Sequence, residues 1–248
     1  MAECSVVSQL EFVRADIAAY RALERYHYRD GALGPYCAIY ALAERRLWRR
    51  KTAEFAGVIV VAPAPLNCAA RRAATGEMFR GHSKRDTLAW LNANVRRISR
   101  VIVEPRYRGL GLVVRLVRQT LPLAGTAWVE AVATMGAVNP FFERAGMRAV
   151  TSPPDPLREQ LRHMLAEAGI DAALWIDPQA AHRRLQSLSA ERRKTLDAAM
   201  RRFLNRFGRR RAMPDCPDRT AFILNRLCQT PTYYAWHNPT YPLADGIC

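Results

Sequence analysis

The sequence predicts an α+β domain, mixed α/β rather than strictly alternating, over residues 1–151, with a basic, mainly helical extension over 152–248 packed on it. Three observations carry this. Apolar, β-prone runs at residues 54–62, 98–103 and 126–133 alternate irregularly with helical patterns. The strand ending at Val103 passes through a short loop with two glycines directly into a helix. Ser152-Pro-Pro-Asp-Pro156 then interrupts the chain, and beyond it the apolar spacing is helical.

Taken in order, Val6, Val7, Leu10, Phe12 and Val13 predict a strand over 6–14. Asp16 is placed to cap a helix whose apolar positions are Ile17, Tyr20, Leu23 and Tyr26, and which Gly31 and Gly34-Pro35 end. Strands follow over 36–42 and 54–62, with the basic run Arg45-Arg46-Leu-Trp-Arg-Arg-Lys51 as a hairpin tip or strand end between them. A short helix is predicted over 87–94, then a strand over 98–103 that stops at Glu104-Pro105. Val113, Leu116, Val117 and Leu121 share one face of the next helix, and 126–133 is a buried strand. Pro140 suits the first turn of a helix ended by Gly146, and 147–151 is a last strand. In the extension, Asp155 caps a helix that stops at Gly169, and a second helix over 190–207 sets Leu196, Met200, Phe203, Leu204 and Phe207 on one face. The tail from Gln229 reads as an aromatic, proline-rich part of that extension, either packed or forming a stacking surface.

The 248 residues carry 38 Lys plus Arg against 22 Asp plus Glu, a formal charge of +16, and only Lys51, Lys84 and Lys194 are lysines. Guanidinium pairs bidentately with phosphate and stacks on bases, so an anionic partner such as nucleic acid or a phosphorylated cofactor is expected; compositional bias is the alternative. No stretch reaches the ~20 apolar residues of a membrane span, so no membrane association is expected. Met1-Ala-Glu-Cys-Ser lacks the basic-then-apolar pattern of a secretory leader, and a cytoplasmic location follows as the expectation. The six cysteines are scattered with no C-x-x-C pair and no zinc spacing, so free thiols and no metal are expected.

The informative stretch is Val101-Ile-Val-Glu-Pro-Arg-Tyr-Arg-Gly-Leu-Gly-Leu112. Glycines at 109 and 111 let successive N–H groups point into one concavity, and the helix start adds its own unpaired N–H groups and partial positive charge. Such a nest suits a pyrophosphate. A dinucleotide fingerprint would need a third glycine at Val114, and Gly76-Glu-Met-Phe-Arg-Gly-His-Ser83 has His82 where a P-loop has lysine.

The loop after the strand resembles the pyrophosphate signature (Q/R)-x-x-G-x-(G/A) of the GNAT superfamily of N-acetyltransferases. Asn139-Pro-Phe-Phe-Glu-Arg-Ala-Gly-Met147 is similar to that superfamily's helix end after the next strand, about 30 residues on. Together they cover roughly residues 97–150. The resemblance implies a GNAT-like twisted central sheet flanked by helices. It also implies acetyl-CoA as acyl donor, lying where the strands ending near Val103 and Ala133 splay apart. Carried over, the contacts to it fall on Val103, Arg106, Arg108, Gly109, Leu110, Gly111, Leu112 and Asn139. More loosely, the chain resembles the acetyltransferase domain fused to ABC-type ATPases and phage Mom-like base-modifying proteins, which implies an ABC-type ATPase and DNA or RNA as partners.

The resemblance also implies direct transfer to an amine, with a backbone N–H near Val103 stabilising the oxyanion. Phe142 stands where this superfamily often has its tyrosine acid, and Met135 where asparagine is common. Glu130, in an otherwise apolar strand, is the first candidate base; the alternative is that it pairs with an arginine or lies at a wet edge. His27 and Tyr28, at the end of the first helix, are the second candidates. In the extension, Arg201, Arg202, Arg209 and Arg210 form either a nucleic-acid face or a solvated helix face. The function expected is an acyl-CoA-dependent N-acyltransferase, its acceptor amine on nucleic acid or an associated macromolecule. A Mom-like base-modifying enzyme and a non-catalytic nucleic-acid-binding module are the alternatives.

Overall fold

Apolar side chains on both faces of the predicted strands require a sheet covered on both sides, and that is how the chain folds. The structure, a computed structural model, describes residues 5–27, 32–44, 55–75, 83–136, 138–150, 155–229 and 231–241. It divides into two units, Met1–Ser152 with Pro231–Cys248, and Pro153–Thr230.

The first unit is mixed α/β around a seven-stranded open sheet in the order β1-β2-β3-β4-β5-β7-β6. The strands are β1 (Leu10–Ala15), β2 (Ala38–Glu44), β3 (Phe55–Pro63), β4 (Val95–Val103), β5 (Trp128–Ala133), β6 (Arg148–Val150) and β7 (Thr232–His237). Neighbours are antiparallel except β4 and β5, which run parallel through Val95↔Trp128 to Ile98↔Ala131. Its helices are α1 (Ser5–Ser8), α2 (Ile17–Leu23), α3 (Ala69–Thr75), α4 (Lys84–Asn94), α5 (Leu112–Thr120) and α6 (Phe141–Arg144). The Asp16 side chain caps α2 by accepting from the N–H groups of Ala18 and Ala19 at 2.9 and 3.4 Å. Leu112, Leu116 and Val117 of α5 pack with Ile59, Val61, Ile98 and Ala131 on one face of the sheet. Tyr20 and Leu23 of α2 pack with Val58, Val60 and Ile102 on the other.

The second unit lies in sequence between β6 and β7. It contains α7 (Pro156–Glu167), α8 (Pro178–Gln186), α9 (Ala190–Leu204) and α10 (Pro217–Cys228) around Leu161, Leu165, Met200, Phe203, Ile223 and Leu227. The extension read as 152–248 therefore needs correction at its end. Tyr233 and Tyr234 are buried, and β7 pairs with β5 on one side and β6 on the other, inside the first unit's sheet. The first predicted strand also begins later, because residues 5–8 form a helical turn. Residues 45–51, 76–82 and Tyr28 lie outside the described residues. Among the described residues no helix is long and apolar enough to cross a membrane.

In the second unit Arg219 is almost fully buried between two carboxylates. Its Nη2 donates to Asp215 Oδ1 at 2.6 Å, and its Nη1 lies 2.7 Å from Asp197 Oδ1 at an angle that makes an ion pair rather than a hydrogen bond. Burial raises the Asp197 pKa, but the hydrogen bond from Arg201 and the attraction of Arg201 and Arg219 outweigh it, leaving the carboxyl below its ordinary value. A folded-state pKa below the unfolded one stabilises above the unfolded value, about 3.9, and that contribution is lost as pH falls through the folded value. Asp197→Asn should lower the stability of this unit at neutral pH by about 1–3 kcal/mol, less than for a fully broken pair because Asp215 remains. It should also flatten the loss of stability below about pH 4. Urea titrations across pH check this, and an unchanged acid limb contradicts it.

Candidate functional site

β4 and β5 stop pairing after Ile98 and Ala131, and β5 continues only along β7 to Ala133. On its other side β4 stays paired with β3, Gly57 opposite Val103, while the Glu104 N–H donates to Ala56 O at 3.0 Å. Antiparallel pairs alternate between bonded and non-bonded positions. The Glu104 bond therefore makes Val103 and Val101 non-bonded positions, whose N–H and C=O groups point away from β3 into the opening.

Glu104 shapes the turn that follows. Its Oε2 accepts from the Arg106 N–H at 3.1 Å and its Oε1 from Arg106 Nε at 3.0 Å, while its carbonyl accepts from the Tyr107 N–H. Arg108 N–H donates to Pro105 O at 3.2 Å, and Arg108 Nε reaches back to Val103 O at 3.3 Å. Beyond that the pairing stops. Among the described residues the N–H groups of Gly109, Leu110, Gly111, Leu112 and Val113 have no hydrogen-bond partner, and the next, Val114, donates to Gly111 O. Gly109 and Gly111 have φ of +83° and +73°, and a Cβ built on either meets nothing within 4 Å. The glycines are thus required by the left-handed backbone, and the space they face is open. Successive unpaired donors leading into an α-helix start are the kind of backbone arrangement that suits an anion.

Two clefts meet at this part of β4. The first, about 350 Å³, runs along Val101, Ile102 and Val103 to Gly109 and Gly111 and is closed by Asn139, Phe141 and Tyr107. The second, about 320 Å³, is bounded by Pro35, Pro63, Arg97, Ser99, Arg100 and Val132. Tyr26 lines the first cleft, and His27 lines both. His27 follows a 3₁₀ turn over Glu24–Tyr26 and donates its N–H to Glu24 O at 2.9 Å. Of the side chains singled out in the sequence, Val103, Arg108, Gly109, Gly111, Leu112 and Asn139 line the first cleft. Arg106 turns to Glu104, and Leu110 is exposed beside the nest. In the sequence Arg97 and Arg100 count only as charge around the cofactor loop, with Arg96, Arg106 and Arg108, and Tyr26 only as an apolar position of the first helix, while nothing local aims Tyr107 inward.

Glu130 does not reach either cleft, which corrects the expectation that it is a base. It is fully buried, and its carboxylate accepts from Arg71 Nε and Nη2, both at 2.7 Å, and from the Tyr233 hydroxyl at 3.0 Å. Burial disfavours the Arg71 cation, but bonding and attraction to Glu130 more than offset this and raise its pKa. Burial, with the Glu130 charge, pushes the Tyr233 phenol well above its ordinary range. The trio ties α3 to β5 and β7; both carboxylate oxygens are occupied, so none is left for a substrate. Phe142 is buried against Phe141 and Tyr234, and Met135 is exposed.

In the second unit Arg201 Nε is bound to Asp197 Oδ2 at 2.7 Å, and the Arg210 guanidinium lies 5.4 Å from the Phe222 ring centre. Arg202 is exposed on α9, while the side chain of Arg209 lies outside the described set. Among the described residues no three His, Cys, Asp or Glu side chains are grouped to hold a metal ion. No family model matches the chain, and no curated protein matches it significantly.

Glu130→Gln should destabilise the first unit by about 3 kcal/mol, the cost of breaking a buried pair from one side. A drop in the denaturation midpoint with cleft function retained per folded molecule is the expected result. Unchanged stability with lost turnover would return Glu130 to the chemistry.

Proposed function

We propose that the chain is an acyl-CoA-dependent N-acyltransferase with a GNAT-like core. It binds acetyl-CoA in the first cleft and an acceptor amine in the second. One observation carries the reading: five consecutive unpaired amides, Gly109 to Val113, at the mouth of the cleft where β4 leaves β5. The strand order, with β4 and β5 as the parallel pair, supports the same reading because it accords with the fold the resemblance implies.

The residues present fit that donor. The Gly109–Val113 amides and the α5 N-terminus would hold the diphosphate, with the exposed Arg108 beside them. Val101 and Val103 offer backbone donors and acceptors along the opening, where an amide-containing arm would lie, against the apolar wall of Leu112 and Phe141. When bound, acetyl-CoA supplies a thioester, an acyl group activated toward an amine.

The Val103 N–H, aimed away from β3, is the donor placed for the thioester carbonyl oxygen. An imidazole nitrogen of His27, at the junction of both clefts, accepts the proton from the attacking amine. Tyr107, which lines the first cleft, is placed to return a proton to the departing sulfur. His27, the second candidate in the sequence, thus takes the place of Glu130, and Tyr107 the acid's role that Phe142 cannot fill.

Calorimetry tests the donor site. The wild type should bind acetyl-CoA, and Gly109→Glu, which places a carboxylate in the nest, should lose that binding; equal binding by both overturns the reading. His27→Gln should lower kcat by about a hundredfold or more while acetyl-CoA affinity stays within about twofold. Unchanged kcat would remove His27 from proton transfer.

A further inference from the structure

We infer that the second cleft takes an amine whose own molecule carries an oxyanion, a carboxylate or phosphate, a few bonds from the nitrogen. The inference rests on the acyltransfer reading, which assigns that cleft to the acceptor. The register of β4 carries it. Val61 lies opposite Ile98 but Val60 lies opposite Arg100, so Ser99 is an extra residue with no partner on β3. In a regular strand positions 97 and 100 point to opposite faces. The bulge turns them to the same one. The core records this reversal: Ile98 packs with the α5-side cluster and Ile102 with the α2-side cluster, although an unbroken strand would put both on one face.

Arg97 and Arg100 therefore share a cleft with Ser99 and His27, both arginines half-buried. No carboxylate lines this cleft among the described residues, and neither guanidinium forms an ion pair there. Arg100 Nη1 donates to Ser99 O at 2.9 Å, which pins the group, while Arg100 Nε is buried with no partner. A buried donor of a charged group left unpaired is costly, and two like charges facing one cavity repel. An oxyanion bound in the cleft offsets that repulsion, because its oxygens match the planar guanidinium fork. With His27 shared by both clefts, the arginines hold the anionic end while the amine reaches the donor cleft.

Binding of paired amines with and without an oxyanion, followed by calorimetry with the donor cleft saturated by CoA, tests this: ethanolamine against O-phosphoethanolamine, and propylamine against β-alanine. In the wild type at least one oxyanion-bearing member should bind about tenfold or more tightly than its neutral counterpart, and the better pair tells phosphate from carboxylate. Arg97→Gln with Arg100→Gln should abolish the preference, whereas Arg97→Lys with Arg100→Lys, which keeps the charge but not the fork, should keep only part of it. Equal binding within both wild-type pairs overturns the proposal without any variant, and so does a preference that survives the double Gln substitution. Acetyl-CoA should bind the double Gln variant with unchanged affinity. Failure of acetyl-CoA to bind the wild type counts instead against the acyltransfer reading, and the matched pairs, repeated without CoA, still decide the oxyanion preference.

Discussion

The parting of β4 from β5 after Ile98 and Ala131 is the constraint on which the functional architecture depends. Two parallel strands that stay paired leave no room and no free backbone groups between them. Here β5 is held by the antiparallel register of β7 through Ala133, while the bulge at Ser99 twists β4 along β3 just where the parallel pairing ends. The backbone groups of Val101 and Val103 are thereby exposed to the opening. The same bulge, through its reversal of side-chain faces, supplies the charge of the second cleft. One extra residue thus stands where one cavity begins and equips the other.

Behind the opening, Arg71, Glu130 and Tyr233 form a buried polar trio in which both carboxylate oxygens are satisfied. A buried ion pair of this kind contributes little net stability compared with a well-packed apolar core, yet it is strongly unfavourable to break. Its effect is positional: it fixes α3 against the two strands whose register keeps β5 away from β4. Catalytic demands on the same carboxylate would conflict with that role, because a base must be free to take and release a proton while its surroundings stay in place.

Much of this was legible in the sequence. The Asp16 cap, the strand-to-helix passage through Gly109 and Gly111, and the break near Pro156 act through nearest neighbours and a few hydrogen bonds, so local residue types report them. The helices at Ala69–Thr75, Pro178–Gln186 and Pro217–Cys228 were not predicted. The last two follow Asp177-Pro178 and Cys216-Pro217, a start signal that is readable, whereas Ala69–Thr75 has no apolar periodicity at all. β7 escaped because Thr232-Tyr-Tyr-Ala-Trp-His237 has no clean alternation; its partner strand lies about 100 residues earlier in the chain. The Ser99 bulge has no glycine or proline to mark it, so nothing local shows that Arg97 and Arg100 share a face. The partner of Glu130 was equally hidden, since Arg71 sits on the unpredicted helix.

Under the proposed function, the main-chain amides after β4 hold the phosphates of an acyl carrier. Backbone amide resonances, followed while CoA is added, test it most directly. The account predicts saturable shifts concentrated at Gly109, Leu110, Gly111, Leu112 and Val113, with the amides of α9 in the second unit unmoved. Resonances at those five positions that stay still while CoA shifts others would contradict it.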